Sequence, residues 1–458
     1  MSSPESVGMT PSVADEWRKL TVSKKETRRG TVLAFFAWTL AVFDFILFGT
    51  MLPEIQESFG WSDEAASSAV TLIAVGTTLT VFLMGPITDR LGRRKGMLAT
   101  VGITALASAA TAATTNFASV VAVRSLGGVG SGEQAVNTTY LNEIYALSED
   151  ESVTKRRGFV YGFVQSGWPI GALLAAGFAA VLSPWFDWRA LFLLATLPAI
   201  LVLFMRRGLK ETPQFLIQKE LRDLQKRGDT EQADALAAKY GLSNVQRGSI
   251  RELFSVQNRR NTVMLSLAYF LSWFGVQTFS VLGTTVLTKG LDVSFSNALI
   301  IVVFSNLIAA GGYIFHGWTG DRFGRKNVVV LGWFASAVFF TLMLFAPLST
   351  PLIVLAYGLG LFFLIGPYSA LVFYMGESFT ANARATGAAL VTAIGQPGAI
   401  LASALITMFV ITDTEWSLVA FYVGVVGIVF SAAAMLGVKK DTVIQVVTND
   451  ELDPRVTL

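Results

Sequence analysis

Three charged residues lie inside long apolar stretches of this 458-residue chain: Asp44, Arg124 and Glu133. A charge in such a stretch is costly to bury, and that cost makes each residue a candidate for chemistry. Burial raises the pKa of a carboxyl group, and a nearby cation lowers it. A buried aspartate beside an arginine can therefore take up a proton when an anion displaces it from the arginine, which couples one proton to one anion.

Helical spacing separates two of these charges. Arg124 precedes Glu133 by nine residues, which at about 100° per residue puts them on opposite faces of a helix. Glu133, Asn137 and Tyr140 share one face through their i, i+4, i+7 spacing. We therefore expect Arg124 and Glu133 not to pair with each other. The simpler alternatives to proton coupling are a static salt bridge for Asp44 and a structural hydrogen bond for Glu133.

The composition places these residues in a membrane protein. Mean hydropathy is +0.56 and only 15% of residues are charged, whereas a soluble domain carries about 25%. The chain has no cysteine and one histidine, His316, which argues against thiol chemistry and against a metal site. No pairing of a nucleophile with a base is visible, so we expect no enzyme and no cofactor. His316 is expected to have a structural role rather than to relay protons.

Twelve segments are long enough to cross a bilayer, which needs roughly 20 mostly apolar residues. Spans 1 to 12 are expected near residues 30–52, 66–86, 97–115, 118–142, 159–182, 188–206, 261–287, 296–317, 328–346, 351–375, 386–411 and 416–437. Of the 35 lysines and arginines, 32 fall on the side shared by both termini. The positive-inside rule then predicts a multi-pass protein of the inner membrane with both termini in the cytoplasm.

The expected fold class is an all-α membrane protein of twelve transmembrane helices in two pseudo-symmetric six-helix bundles. Residues 1–29 would form a cytoplasmic arm, 30–207 and 261–437 the two halves, 208–260 a cytoplasmic linker, and 438–458 a cytoplasmic tail. The charged, helix-prone linker is expected to be solvated and amphipathic. The alternative is a regulatory role or a role at the lipid surface.

One charged, glycine-bearing string occurs twice: "GPITDRLGRRK" at 85–95 and "GWTGDRFGRK" at 317–326. The copies follow spans 2 and 8, which indicates an internal duplication of two parallel six-span halves. Gly85 and Gly317 would allow close helix approach, and Gly92 and Gly324 a tight turn. Both strings resemble the signature loop of the major facilitator superfamily.

The resemblance implies that these loops belong to a gate between the halves. It assigns gating roles to Gly85, Asp89, Arg90, Gly92, Arg93, Gly317, Asp321, Arg322, Gly324 and Arg325. "GPYSALVFYMGESFTANARATG" at 366–387 resembles the family's tenth span, with Glu377 and Arg384 as a charged pair. In the first half Glu143 and Arg156 or Arg157 take the equivalent places.

Three further strings are similar to the metabolite:proton symporters of that superfamily: "LAVFDFILFGTMLP" at 40–53, "GSGEQ" at 130–134 and "VQSGWPIGALLAAG" at 164–177. The branch that they resemble contains sialate, lactate and aromatic-acid permeases. That branch usually carries Asp-x-x-Asp in the first span. Here Ala41 stands at the first position, so only Asp44 remains. The resemblance implies proton-coupled uptake of a small organic acid anion (a monocarboxylate, sialate or aromatic acid) by alternating access, with Asp44, Glu133 and Arg124 coupling the proton.

Two other cargo classes and one non-transporting class are alternatives to organic-acid uptake. A proton-coupled sugar or polyol symporter is the main alternative, although span 7 has one glutamine, Gln277, where sugar porters carry a pair. A drug or metabolite efflux antiporter is less favoured, because Gly167-Trp168-Pro169-Ile170-Gly171 departs from the antiporter pattern. A sensor is disfavoured by the short polar tail at 438–458.

Polar and aromatic residues of the spans are expected to form a mixed aromatic and amide pocket near mid-membrane. With Arg124, the candidate substrate-binding residues are Gln165, Trp168, Trp273, Gln277, Asn306, Tyr368, Tyr374 and Gln396. Each of them taken alone could equally pack or hydrogen bond within the bundle. The expected partners are a small-molecule substrate and the lipid bilayer, with no nucleic acid, and the protein is expected to function as a monomer.

Overall fold

A computed structural model describes residues 16–17, 19–155, 157–240, 250–379 and 384–439. This part of the chain is helical throughout, apart from turns and one isolated parallel bridge between Val22 and Ser148. The predicted fold class is confirmed: the protein is an all-α membrane protein with twelve spans.

The first half contains spans 1 to 6. Spans 1, 2 and 3 are Lys24–Phe59, Asp63–Leu91 and Arg93–Ala112. Span 4 consists of Phe117–Gly127, a 3-10 turn at Gly128–Gly132, and Glu133–Ala146. After the short helix Glu151–Lys155, span 5 consists of Arg157–Gln165 and Gly167–Leu182, and span 6 is Trp188–Arg206.

The linker and the second half follow. The linker contains the helices Pro213–Arg227, Thr230–Lys239 and Ile250–Leu253. Span 7 comprises Arg259–Gly275, Val276–Val281, Gly283–Thr285 and Val286–Gly290. Spans 8 and 9 are Phe295–Phe323 and Arg325–Phe345. Span 10 is Thr350–Ile365 and Tyr368–Glu377, span 11 is Arg384–Ala393 and Gly395–Ile411, and span 12 runs through Trp416–Val419, Ala420–Val425 and Val426–Leu436.

Ten helices of the described residues are both long and apolar enough to cross a membrane. The other two spans fall short for visible reasons. Span 3 begins with "RRK" and is rich in alanine, threonine and serine. Span 4 is divided by its 3-10 turn into pieces of 11 and 14 residues. Both pack inside the first half, where small residues allow close contact between helices.

The two copies of the repeated string form the turns between spans 2 and 3 and between spans 8 and 9. Gly92 has φ 107° and Gly324 has φ 86°, a region that favours glycine. The predicted tight turns are therefore confirmed. Gly317 differs from the expectation, because a Cβ there would lie 3.6 Å from Ser369 Oγ, an ordinary contact. Space does not require glycine at that position, and the environment of Gly85 lies outside the described side chains.

The halves meet tightly at the end of the bundle opposite the linker. The Thr284 hydroxyl donates to the carbonyls of Gly49 and Thr50, each at 3.1 Å. Lys289 Nζ lies 3.1 Å from Asp63 Oδ1. A Cβ on Gly49 would lie only 2.1 Å from the Val281 carbonyl oxygen, so span 1 can contact span 7 this closely only with glycine there. This end of the bundle is closed.

Candidate functional site

Asp44 and Arg124 form a buried ion pair between spans 1 and 4. Arg124 Nη2 donates to Asp44 Oδ2 at 3.0 Å and to the Asp44 carbonyl at 2.9 Å. The guanidinium also lies over the rings of Phe48 and Phe192, at 5.4 and 5.2 Å from their centroids. Its Nε has no hydrogen-bond partner among the residues that the structure describes. Arg124 thus retains an unused donor, which suits it to receive an anion.

A second buried ion pair joins Glu133 of span 4 to Arg206 of span 6. Glu133 Oε1 lies 2.5 Å from Arg206 Nη2, and both side chains are fully buried. The Thr100 hydroxyl donates to Oε2 of the same carboxylate. Arg206 itself donates to the Met97 carbonyl at 2.9 Å and to Asn137 Oδ1 at 2.8 Å. As the helical spacing predicted, Arg124 and Glu133 do not pair with each other.

The sequence analysis missed the role of Arg206. It was counted with the cytoplasmic loop charges, because it ends an apolar stretch and is followed by Arg207. In the structure it lies in the last turn of span 6 and is 0% exposed. A buried carboxylate needs a counter-charge. Glu133 therefore indicated that one arginine must be buried beside it, but the sequence does not identify which arginine.

A cavity with mainly aromatic walls lies between the halves. The Trp168 ring centroid lies 6.0 Å from that of Trp38 and 6.1 Å from that of Trp273. Four predicted residues line this aromatic cavity: Gln165, Trp168, Trp273 and Tyr368. It also contains Trp38, Gln134, Tyr269 and Tyr313, which the sequence analysis did not select. Tryptophan, glutamine and tyrosine are also common where spans simply pack together. Only the positions of these four residues in the structure mark them as cavity residues.

A second cavity between the halves contains Arg124. Gln277 and Gln396 of the other half line it as well, together with Phe45 and Phe48. The two cavities follow one another along the same helices, because spans 1, 4 and 7 each contribute residues to both. The structure thus brings seven of the nine predicted substrate residues to the central cavities.

A third cavity lies inside the first half, with an empty volume of about 370 Å³. Asp44 and Glu133 both line it, with hydroxyl groups from Thr100, Thr104 and Ser108 of span 3. All of its lining residues come from spans 1, 3, 4 and 6. The Asp44–Arg124 pair therefore stands between two spaces, with the arginine on the central cavity and the aspartate on this inner cavity.

Two predicted substrate residues and the histidine lie elsewhere. Asn306 is buried in span 8 and donates to the Val302 carbonyl one turn away, at 2.9 Å. The Tyr374 hydroxyl donates to the Lys439 carbonyl at 3.0 Å, near the end of the chain. His316 Nδ1 lies 2.7 Å from the Gly312 carbonyl and the ring packs among phenylalanines. This environment agrees with the expected structural role of His316.

The predicted gating residues form a network on the linker side of the first half. Arg93 is buried and its guanidinium lies 3.1 Å from Glu143 Oε1. The Thr212 hydroxyl donates to the same carboxylate. Glu211, which the sequence analysis did not select, accepts from the backbone N–H groups of Arg93 at 3.1 Å and Arg94 at 3.2 Å. A carboxylate at the N-terminus of span 3 is stabilised by the helix dipole.

The other gating residues contribute less to this picture. Arg90 and Arg322 are exposed, and the guanidinium of Arg322 lies 4.5 Å from the ring of Trp318. Gly324 forms the turn described above. Arg325 is half-buried. The side chains of Asp89, Asp321, Glu377, Arg384 and Arg157, and all of Arg156, lie outside the described residues.

Comparison with known proteins identifies relatives along nearly the whole chain. The family model for "Sugar (and other) transporter" matches residues 30–443. The chain is 27% identical over 385 residues to the niacin transporter NiaP of Acinetobacter baylyi, covering 81% of this chain and 84% of that protein. It is 26% identical over 387 residues to the gallate transporter of Pseudomonas putida, covering 81% and 83%.

The fold has counterparts among solved structures. A crystal structure of a D-xylose–proton symporter superposes with a TM-score of 0.68 at 18% sequence identity. The superposition covers 90% of this chain and 98% of that one. At this identity the likeness concerns the fold alone.

Proposed function

Because the chain belongs to the sugar (and other) transporter family of the major facilitator superfamily, we propose that it takes up an aromatic acid anion together with a proton. The protein is a multi-pass membrane transporter and not an enzyme. In the proposal the linker and both termini face the cytoplasm, the membrane is the inner membrane, and the transporter acts as a monomer.

One observation carries the choice of cargo: the aromatic cavity adjoins the cavity that contains Arg124. A flat ring bearing a carboxylate matches both, because its faces can stack on Trp168 and Trp273 while its anionic end extends toward Arg124. Niacin and gallate, the cargos named for two relatives, are aromatic rings bearing a carboxylate. This agreement supports an aromatic acid over a sugar or polyol.

The coupling step follows from the geometry of the ion pair. A substrate carboxylate that reaches Arg124 competes with Asp44 for the guanidinium. An aspartate that loses its arginine is a buried, uncompensated charge, and protonation relieves that cost. The cell thereby gains one proton with each anion, and the halves can rock about the loaded site.

Transport by purified protein in liposomes tests the cargo class. Nicotinate, gallate and D-xylose would be offered with and without an inward proton gradient. We expect accumulation of an aromatic acid, faster at the lower external pH, and none of xylose. Accumulation of xylose alone would establish the sugar alternative, and loading of substrate without any internal acidification would exclude symport.

Asp44→Asn tests the proton site. The amide fits the same space and still accepts from Arg124, but it cannot take a proton. We expect gradient-driven accumulation to be lost while exchange of labelled for unlabelled substrate continues. The control is Asp187→Asn, because Asp187 caps the N-terminus of span 6 and accepts from the Ala190 backbone N–H. Continued accumulation by Asp44→Asn would assign the proton to another residue.

A further inference from the structure

We infer that the proton and the substrate reach the Asp44–Arg124 pair from opposite sides, and that Glu133 relays the proton through the inner cavity of the first half. This inference rests on the proposed proton symport. It adds a route and two residues, Glu133 and Arg206, that act on the proton without contacting the substrate.

The first support is the position of the pair. Arg124 lines the central cavity with Gln277 and Gln396 of the other half. Asp44 instead lines the inner cavity, to which the second half contributes no residue in the part of the chain that is described. Ala41 is the one residue of the described chain that borders both spaces. A substrate filling the central cavity would therefore leave the inner face of Asp44 accessible to a proton.

The second support is the state of Glu133. Its carboxylate is completely buried and lines the inner cavity, with Oε1 paired to Arg206 and Oε2 accepting from the Thr100 hydroxyl. An ionised carboxylate has about four lone-pair sites, so Glu133 can accept from a further partner. The inner cavity offers room for one, and its hydroxyl groups on Thr104 and Ser108 can hold water. Water needs a few such polar partners to occupy a cavity.

The third support is the charge balance. Among the described residues, the charged groups that contact the two carboxylates are Arg124 and Arg206. Two arginines then face two carboxylates, and a single added proton resides on either Asp44 or Glu133. The step breaks the O–H bond of protonated Glu133, passes the proton along water, and forms an O–H bond on Asp44 once the substrate anion has taken its place at Arg124. Glu133 is left ionised beside Arg206, while Arg124 remains charged beside the substrate anion.

The experiment compares two rates in the same liposomes, with the aromatic acid that the wild-type protein accumulates. One is accumulation driven by a proton gradient, followed with a pH-sensitive dye in the lumen. The other is exchange of labelled for unlabelled substrate at equal pH, which requires no net proton movement. For Glu133→Gln we expect the ratio of accumulation to exchange to fall by about tenfold, a modest part of what a positioned acid–base group typically contributes.

A second variant guards against damage to folding. Ala199→Leu leaves both ion pairs intact and extends a larger side chain into the inner cavity, because Ala199 lines it and is only half-buried. The same fall in the ratio is expected. Thr100→Val, which removes the hydroxyl that donates to Glu133, should lower the ratio as well. Its matched control is Thr111→Val, a buried threonine of the same span that donates to the Ala107 carbonyl and does not line the cavity.

The outcomes separate the inference from the proposed function. A wild-type protein that exchanges substrate but never accumulates it with protons would overturn both. A wild-type symporter whose ratio is unchanged in Glu133→Gln and Ala199→Leu would overturn only the relay. If Glu133→Gln loses exchange completely, the ratio of Ala199→Leu decides: a fall supports the inner route, and an unchanged ratio refutes it.

Discussion

At the level of single residues, the site consists of charges that are compensated in pairs. Removing one partner of a buried pair costs about 3–5 kcal/mol, because the remaining charge is left without compensation. Asp44 and Arg124 are such a pair, and so are Glu133 and Arg206. In the proposed symport, this cost makes a substrate anion at Arg124 and a proton at Asp44 depend on each other.

Trp168→Ala tests the aromatic cavity. The residue contacts the rings of Trp38, Phe45 and Trp273 and would lose its stacking on the substrate. Aromatic contacts contribute about 0.5–1.5 kcal/mol beyond burial, so the KM for an aromatic acid should rise roughly three- to tenfold. The control is Trp185→Ala, because Trp185 is 80% exposed. An unchanged KM in Trp168→Ala would place the substrate elsewhere.

At the level of elements, the breaks within spans position the site. Glu133 begins the second piece of span 4, and Tyr368 that of span 10. Gln277 lies in the π-helical stretch of span 7, and Gln396 is the second residue after the break in span 11. Broken spans free backbone groups and turn side chains toward a central site, which is their common use in transporters.

The N-terminal arm fastens the linker to the first half. Trp17 Nε1 donates to the Tyr240 carbonyl at 3.1 Å, and their rings meet edge to face at 5.1 Å. Val22 exchanges backbone hydrogen bonds with Leu147 and Glu149. For Trp17→Ala we expect faster amide hydrogen exchange across Thr230–Lys239, because the helix loses its anchor. Phe254→Ala, at an exposed position, is the control, and equal exchange in both variants would contradict the role of the arm.

Acid should also weaken the attachment of the N-terminal arm to the linker. Glu16 lies 3.3 Å from Lys239, and the hydrogen bond from Lys19 holds the pKa of Glu16 below its usual range. A carboxyl group whose pKa is lowered by folding stabilises the folded state at pH values above the pKa that it has in the unfolded chain. That contribution is lost as the pH falls through the pKa that the group has in the folded protein. The protection factor of the amides across Thr230–Lys239, which divides out the intrinsic pH dependence of hydrogen exchange, should therefore fall below the ordinary pKa of glutamate. A Glu16→Gln variant should show no such pH dependence in this contact.

At the level of the whole molecule, the structure is closed at the end opposite the linker. Thr71 of span 2 and Thr407 of span 11 contribute to this closure, with their hydroxyl oxygens 3.1 Å apart. Because the proposed alternating access requires this end to open, a bond across it should stop transport.

Thr71→Cys combined with Thr407→Cys tests that requirement. A disulfide needs Cβ atoms about 3.5–4.5 Å apart, and the 3.1 Å between the two hydroxyl oxygens shows that both side chains meet at this contact. The natural chain has no cysteine, so the new pair is the only one that can form. Transport should cease under oxidation and return with a reductant, whereas Thr71→Cys alone should be insensitive to both. Full activity of the crosslinked protein would show that the two halves do not separate there.

The sequence by itself determined the architecture. Twelve apolar segments, the distribution of lysine and arginine and the repeated string were enough to predict the spans and the duplication, because crossing a bilayer imposes length and composition on each segment separately. It also selected Asp44, Arg124 and Glu133, because a charge inside a span is conspicuous wherever its partner lies. Helical spacing alone showed that Arg124 and Glu133 face different ways.

Only the tertiary structure decided the partners and the cavities. Arg206 resembles any arginine at the end of a span, and it is known as the partner of Glu133 only because spans 4 and 6 pack together. Trp38 and Tyr313 join the aromatic cavity through the packing of both halves, while Asn306 turns to its own helix. Contacts between helices depend on rotation and packing in three dimensions, which the apolar pattern of a single span does not encode.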